Sequence, residues 1–315
     1  MTPSRPLRPP TLPPSLLLYC IGIAAIALAA SRAEAQPDAS WSASGEVLMR
    51  YRTSMGGTLY GRTTAMIPET AETDLIVRHV LGLRRVDLPL QRARVLSSAE
   101  RRRLSRLLHR RGTRVPLQYL LGEVDFWSLS IRVTPNVLVP RPDTETLVEA
   151  ALGLVDAEPR LVRVHDACTG SGCVAIALQH ERPGLAISAS DISAAAGEVF
   201  ASNARRILGR EIPFLPSDLL ASVTGPFDLI TANPPYLGAA EVDAMARVGW
   251  PEPGLALRGG REGAELAVRL VAEAPGRLAP GGWLALEAAP GQFETLGLAM
   301  AGAGFRGTRV LRDLA

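Results

Sequence analysis

The sequence contains no lysine: all 34 of its basic residues are arginine. With 29 glycines and 25 prolines in the same chain, that bias reads as GC-rich coding and not as selection for guanidinium chemistry. Cysteine is scarce too, and three in 315 residues exclude a disulfide scaffold. Aromatic residues make up only 5% of the chain, and none falls among the arginines of residues 78–114. That excludes a stacking platform for single-stranded nucleic acid in this stretch. No apolar run reaches the roughly 20 residues that a membrane-spanning helix needs. What the chain does have is apolar residues, 47% of the total, which rules out a disordered polymer. Its 315 residues suffice for one large or two modest domains with a real core.

The net charge of +3 hides an uneven distribution. Residues 1–65 hold six Arg against three acids, while residues 66–315 balance at 28 and 28. Within residues 78–114 twelve Arg meet only Asp87 and Glu100; after Arg114 the balance reverses to 16 Arg against 23 acids. Two domains of opposite sign are the natural reading. The basic one is helical: Leu75, Ile76, His79, Val80 and Leu83 recur at three- and four-residue spacing from Glu72. Ser97 and Glu100 form a capping box for a second helix, with Leu104, Leu107 and Leu108 on one face and Gly112 as its stop. Its arginines suit a polyanion, although a pair of solvated helix faces is the plainer reading. Residues 36–65 show no period and read as linker. Residues 66–122 are thus a small helical domain, residues 123–139 a connecting segment with the pattern of a β-hairpin, and residues 140–315 a second domain.

In that second domain short apolar runs alternate with helical patterns. Strands are expected at Leu161–His165, Ala186–Ala189, Phe227–Ala232, Trp283–Glu287 and Thr308–Leu311. Helices are expected at Thr144–Val155, Val174–Gln179, Ala194–Leu208, Gly263–Leu278 and Phe293–Ala303. This alternation predicts an α/β fold with a doubly wound parallel sheet, whose ligands bind at the carboxyl ends of the strands.

Three strand ends carry chemistry. The first runs into Cys168-Thr169-Gly170-Ser171-Gly172, a turn whose glycines let a ligand approach the backbone. It lacks the third glycine of a dinucleotide loop and the lysine of a triphosphate loop. Cys168 and Cys173 suggest a metal or redox pair only in isolation; without further ligands, small packing residues are the better explanation. The second strand ends at Asp191, an acid placed to accept both hydroxyls of a ribose, or to cap the helix that follows. The third runs into Asn233-Pro234-Pro235-Tyr236. Two prolines fix this backbone and remove two donors, so that the Asn233 side-chain oxygen and the Pro234 carbonyl can both accept from one NH2 group. Tyr236 offers a flat face to a planar amide or base. Such a site orients a poor nitrogen nucleophile toward an electrophile, which is what that nucleophile most needs.

From about Glu72 to Ala315 the chain resembles the HemK/PrmC family of protein-(glutamine-N5) methyltransferases, which modify peptide chain release factors. The resemblance rests on Leu138-Val139-Pro140-Arg141-Pro142-Asp143-Thr144-Glu145, the Thr169–Gly172 turn, Asp191-Ile192-Ser193 and Asn233–Tyr236. Glu252-Pro253, Ala256-Leu257, Gly259-Gly260, Gly263, Glu287 and Gln292 follow the same pattern. It implies a Rossmann-like class I methyltransferase sheet with S-adenosyl-L-methionine as cofactor. Cys168, Thr169, Gly170, Ser171 and Gly172 would bind the cofactor, Asp191 its ribose, and Leu219 in Ser217-Asp218-Leu219 its adenine. Asn233 would lie between cofactor and substrate, and Asn233, Pro234, Pro235 and Tyr236 would grip the glutamine of a Gly-Gly-Gln loop during an in-line methyl displacement. No general base is required, since the amide becomes acidic only as the new bond forms. A class 1 release factor is the implied partner, docked with help from the helical domain. No metal and no stable nucleic-acid binding are expected, and the chain is expected to be a monomer.

The family pattern carries a further Arg-containing strand after Asp313-Leu314-Ala315, so an exposed sheet edge is expected here. Cys168 stands where the family commonly has glycine. Ahead of residue 66, Arg5 and Arg8, the apolar run Leu16 to Ala30 and Ala33-Glu34-Ala35 together have the form of a secretory signal. Since the implied cofactor is cytosolic, a start at Met49, Met55 or Met66 and a cytoplasmic enzyme are the preferred reading. Three alternatives stand beside the main one: glutamine methylation of a ribosomal protein, adenine N6-methylation of nucleic acid, and an inactive exported binding protein.

Overall fold

The computed structural model describes residues 40–41, 47–52, 58–62, 70–91, 94–113 and 115–311. The signal-like stretch from Arg5 to Gln36 lies outside them. Among the described residues no helix is long and apolar enough to cross a membrane. The chain divides after Val115 into two compact units.

The first unit begins with three antiparallel strands, β1 (Ser40–Trp41), β2 (Val47–Arg52) and β3 (Thr58–Arg62), paired in chain order. The stretch expected to be linker therefore holds a small meander. Its signal was the β-prone Val47, Tyr51, Thr58 and Tyr60 on either side of Gly56-Gly57, a spacing typical of hairpins. Helix α1 (Thr70–Leu81) and helix α2 (Ser98–Gly112) follow. Ile76, Val77 and Val80 of α1 are buried, as are Leu104, Leu107 and Leu108 of α2. The capping box is formed as expected: the Glu100 amide donates to Ser97 Oγ at 3.2 Å and the Ser97 amide to Glu100 Oε2 at 2.7 Å. The helix ends at Gly112, where the stop was expected, and the Thr113 amide closes it on His109 O and Arg110 O. Arg111 forks onto Glu72 at 2.9 and 2.8 Å, tying the two helices together.

The second unit opens with α3 (Leu117–Leu121) and a hairpin of β4 (Glu123–Phe126) and β5 (Leu129–Arg132). Then come α4 (Glu145–Ala157), β6 (Arg163–Ala167), α5 (Cys173–Glu181), β7 (Ala186–Asp191), α6 (Ala194–Leu208), β8 (Phe214–Pro216) and β9 (Phe227–Ala232). Next are β10 (Leu237–Gly238), α7 (Ala239–Arg247), β11 (Arg258–Gly260), α8 (Glu265–Glu273), β12 (Leu278–Leu286) and α9 (Phe293–Gly302). Five strands form one wholly parallel sheet in the order β12-β9-β6-β7-β8. The chain moves outward from β6 through β7 to β8, then returns to place β9 on the other side. The switch point therefore lies between β6 and β9, where ligands of such sheets bind.

Helices cover both faces because the central strands are apolar on both. On one face Val148, Ala151, Ile176, Leu178 and Phe200 pack over Val164, Ile187 and Leu229. On the other, Leu270 and Ala274 pack over Ala167, Ile230 and Ala232 with Leu219, Leu220 and Val223. Helix α5 is buried from Cys173 to Gln179, so Cys173 is a packing residue, and burial pushes its thiol up to about 12. At the amino ends of the strands, Asp228 on β9 accepts from Val162 N, Arg163 N and Arg163 Nη2 at 3.2, 2.9 and 2.7 Å. The Arg163 guanidinium holds that carboxyl down at about 2, and the clamp sets β6 against β9.

Strand β6 begins and ends two residues later than expected, at Arg163–Ala167 rather than Leu161–His165, and two further expectations fail. Helix α8 ends at Glu273 rather than Leu278, because Pro275 falls in a short 3-10 turn, Ala274–Gly276, and β12 starts immediately after. Thr308–Leu311 forms no strand. Val310 and Leu311 are 56% and 58% exposed. An apolar run becomes a strand only where a partner receives its backbone hydrogen bonds, and this run has found none. Strand β12 accordingly stays at the sheet edge, with Trp283–Leu286 half-buried.

Candidate active site

Register brings the chemistry together. Ala167 on β6 pairs with Ser190 on β7 and with Ala232 on β9, and Ala232 pairs with Leu286 on β12. The residues that follow these four therefore stand in a row along the carboxyl edge of the sheet: Asp191, Cys168, Asn233 and Glu287. Neighbouring strands in a sheet lie about 4.8 Å apart, so three loops far apart in sequence share one small region.

The glycine turn is held in place from below and from the side. Asp166, the last polar residue of β6, accepts from Thr169 Oγ1 at 2.6 Å and from Thr231 Oγ1 of β9 at 2.7 Å. Burial pushes its carboxyl up to about 6, against the pull of the two hydroxyls. The Gly170 amide donates to Asp191 Oδ2 at 2.9 Å, and Asn203 of α6 donates to Ser171 O at 2.9 Å. Gly172 takes φ +83, and a Cβ there would meet Phe200 Cδ2 at 2.2 Å, so glycine lets α5 and α6 close up. Gly170 takes φ +55 with nothing within 4 Å of a Cβ position, which leaves the backbone open to a ligand. Cys168 and Leu219 both adopt φ near +50, at 55° and 50°. Such left-handed conformations are uncommon outside glycine and gather where a site demands them.

Asp191 sits at the end of β7, half-buried, its carboxyl raised above the usual range by that burial. One oxygen takes the Gly170 amide and the other the Ser193 amide, at 2.9 Å each. It does not cap α6: the cap is Ser193, whose Oγ accepts from Ala196 N at 3.2 Å. A carboxylate has about four lone-pair positions, so these backbone amides do not exhaust it and it can still accept from a ribose. Leu219 is buried in the cluster that includes Ala167, with Cys168 packed against it. An open glycine backbone, a carboxylate with lone pairs to spare and an apolar wall fit a nucleoside cofactor.

The Asn-Pro-Pro-Tyr loop leaves β9 beside this turn. Asn233 is half-buried, and its Nδ2 donates to Thr144 Oγ1 at 3.2 Å. Pro234 is buried; Pro235 and Tyr236 are half-buried. Behind the loop β10 pairs with β11. A Cβ on Gly259 would lie 2.5 Å from Pro235 O and 2.8 Å from Tyr236 Cα, and one on Gly263 would lie 2.5 Å from Tyr236 O. Gln292 Nε2 donates to that same Tyr236 carbonyl at 2.9 Å. The arrangement can present fixed acceptors to a planar amino group, with a nucleoside site next to it.

Every residue expected in the site is thus at a strand end of one sheet, and Leu219 lies in the apolar cluster under it. The residue-by-residue reading assigned no role to Asp166, Thr144, Asn203 or Gly259. For Asp166 the signal was an acid ending an apolar strand just before a glycine turn. For Thr144, 89 residues before Asn233, residue-level reading offered none.

A family model described as the PrmC N-terminal domain matches residues 68–122, and one described as the methyltransferase small domain matches residues 149–248. The chain is 39% identical over 245 residues to the release factor glutamine methyltransferase of Bradyrhizobium diazoefficiens, covering 76% of this chain and 82% of that one. It is 40% identical over 220 residues to that of Rhodospirillum rubrum (69% and 67% covered), and 37% identical over 248 residues to that of Deinococcus radiodurans (78% and 87%). Among solved structures, a ribosomal protein L11 methylase from Lactobacillus delbrueckii subsp. bulgaricus aligns with a TM-score of 0.42 at 26% identity, over 58% of this chain and 80% of that one, too slight a likeness to argue from. The sequence relatives carry the conclusion: this chain belongs to the release factor glutamine methyltransferase family.

Proposed function

We propose that the protein transfers a methyl group from S-adenosyl-L-methionine to the side-chain amide nitrogen of the glutamine in the Gly-Gly-Gln loop of a class 1 release factor. The observation that carries this reading is the row formed by Asp191, Cys168 and Asn233, where the glycine turn and the Asn-Pro-Pro-Tyr loop leave neighbouring strands. When bound, S-adenosylmethionine supplies an electrophilic methyl on a positively charged sulfur. Cys168, Thr169, Gly170, Ser171 and Gly172 would hold it along the turn, Asp191 would take the ribose hydroxyls, and Leu219 would lie against the base. Asn233 Oδ1 and the Pro234 carbonyl accept the two hydrogens of the substrate NH2, while Tyr236 lies along its plane. Held this way, the nitrogen is committed to one orientation, and for a weak nucleophile orientation can remove a large part of the barrier.

In this reading residues 66–122 are a release-factor docking domain, residues 140–315 the methyltransferase domain, and residues 1–65 an extension ahead of the cytoplasmic enzyme, which works as a monomer without a metal ion. The test is incubation of the full chain with S-adenosylmethionine and unmodified release factor, followed by peptide mass mapping. One added methyl on the Gly-Gly-Gln glutamine is expected. Methyl on a ribosomal protein or on adenine, and none on the release factor, overturns the reading.

A further inference from the structure

We infer that Thr144 is a positioning residue for this transfer: its buried hydroxyl holds the Asn233 amide in place, with the accepting oxygen turned to the substrate side. The inference rests on the function proposed above and deepens it at one atom. An asparagine amide has one end that accepts and one that donates. A substrate nitrogen bearing two hydrogens needs the accepting end, because two NH2 groups face to face repel. In Asn233 the donating end is committed, since Nδ2 is 3.2 Å from Thr144 Oγ1. Oδ1 is the end left over. Thr144 is 2% exposed, so the accepting hydroxyl is closed to solvent on its own side.

The surroundings of this hydroxyl are fastened by other groups. Thr144 ends a short 3-10 turn, Pro142–Thr144, closed by its own amide on Arg141 O at 3.1 Å. Arg141 Nη2 is fastened 2.6 Å from Glu252 Oε2, and Glu252, itself buried, also accepts from Val139 N and Trp250 Nε1, both at 3.1 Å. On the other side Glu145 Oε1 accepts from Trp127 N at 2.7 Å. The Arg-Pro-Asp-Thr-Glu block is thereby pinned to two separate segments by the residues that flank Thr144. These contacts hold its backbone without the hydroxyl, and the hydroxyl meets Asn233 of the Asn-Pro-Pro-Tyr loop.

The experiment compares the full-length wild type with Thr144→Val and Thr144→Ser, using S-adenosylmethionine and unmodified release factor. Thermal midpoint and cofactor Kd are measured on the same three proteins. Thr144→Val is expected to lower kcat about 10- to 100-fold, the scale on which a displaced reacting group costs rate. Thr144→Ser is expected to stay within about threefold of wild type, and cofactor Kd within about twofold in all three. A Thr144→Val enzyme with unchanged kcat overturns the inference. So does an equal loss in Val and Ser accompanied by weaker cofactor binding, which is what a merely structural role produces. A wild type that methylates no release factor overturns the underlying function instead.

Discussion

After β6 the chain turns through Gly170 and Gly172 at positive φ, with backbone amides exposed to carboxylates; after β9 it passes through Pro234 and Pro235, which have no amide to offer. The first loop turns at two glycines and is braced by Asp166, Asp191 and Asn203, which suits the proposed approach of a ligand to its backbone. The second must present acceptors, so its donors are removed and its stiffness comes from pyrrolidine rings. Glycine reappears there one layer back, at Gly259 and Gly263, where the supporting backbone comes within contact of Pro235 and Tyr236. The lesson is that glycine marks close approach: Phe200 at Gly172 in one loop, and the supporting chain at Gly259 and Gly263 behind the other, while Gly170, alone of the four, faces open space.

The comparison breaks most sharply at Asn233. Asn233→Ala removes an acceptor made only on the proline side, and the expected loss of turnover is about 1,000-fold or more, with cofactor affinity within about twofold; steady-state kinetics and calorimetric titration of the cofactor measure the two. Gly259→Ala is the next largest. The new Cβ would lie 2.1 Å from Gly263 O and 2.5 Å from Pro235 O, both backbone atoms, so the proline loop must move. A fall in kcat of about 100-fold is expected, again with the cofactor still bound. Asp191→Asn acts on the other loop. It leaves one oxygen where Gly170, Ser193 and a ribose compete, so cofactor Kd should rise about 10- to 100-fold while kcat at saturation changes little.

The smallest effect sharpens the contrast through pH. His165 on β6 is buried between Ser188 Oγ at 2.8 Å and Ser190 Oγ at 2.9 Å, against the ring of Phe227, and burial lowers it to about 4. Its folded value lies below that of the free side chain, near 6.5, so the unfolded chain binds the extra proton first. The stability that neutral His165 provides is complete above pH 6.5 and is lost as pH falls toward 4. His165→Gln should therefore close its stability gap to wild type by about 2–3 kcal/mol between pH 7 and pH 4.5, read by urea unfolding at each pH. Thr144, Asn233 and Gln292, which brace the proline loop, do not titrate, and their contacts should not follow pH in this range.

Much of the α/β unit was legible residue by residue. Phe227–Ala232 and Ala194–Leu208 coincide with β9 and α6 because both are long, strongly periodic runs with clear ends. Strand β6 was placed two residues early, at Leu161–His165 instead of Arg163–Ala167. His165 and Asp166 look like the end of an apolar run, and only the serines of β7 and the threonines beside Asp166 make their burial tolerable. Thr308–Leu311 shows the converse: a good strand pattern to which the fold gave no partner. Helix α7 and the β10–β11 pair went unseen, since their two- and three-residue strands exist only because the chain returns behind the Asn-Pro-Pro-Tyr loop.

By itself the sequence determined the alternation of strand and helix, the glycine turn, the acid ending β7 and the proline-stiffened acceptor loop. Each of these depends on the covalent nature of residues adjacent along the chain: missing Cβ atoms, missing amides, hydrophobic period. Which of them stand side by side was decided by the sheet register that sets Asp191, Cys168 and Asn233 in a row. That Thr144 and Gln292 reach the acceptor loop from 89 residues before Asn233 and 56 residues after Tyr236 was decided there too. Contacts of that separation carry no local signature, because a hydroxyl or amide side chain looks the same in the sequence whether it meets water or a loop it must hold.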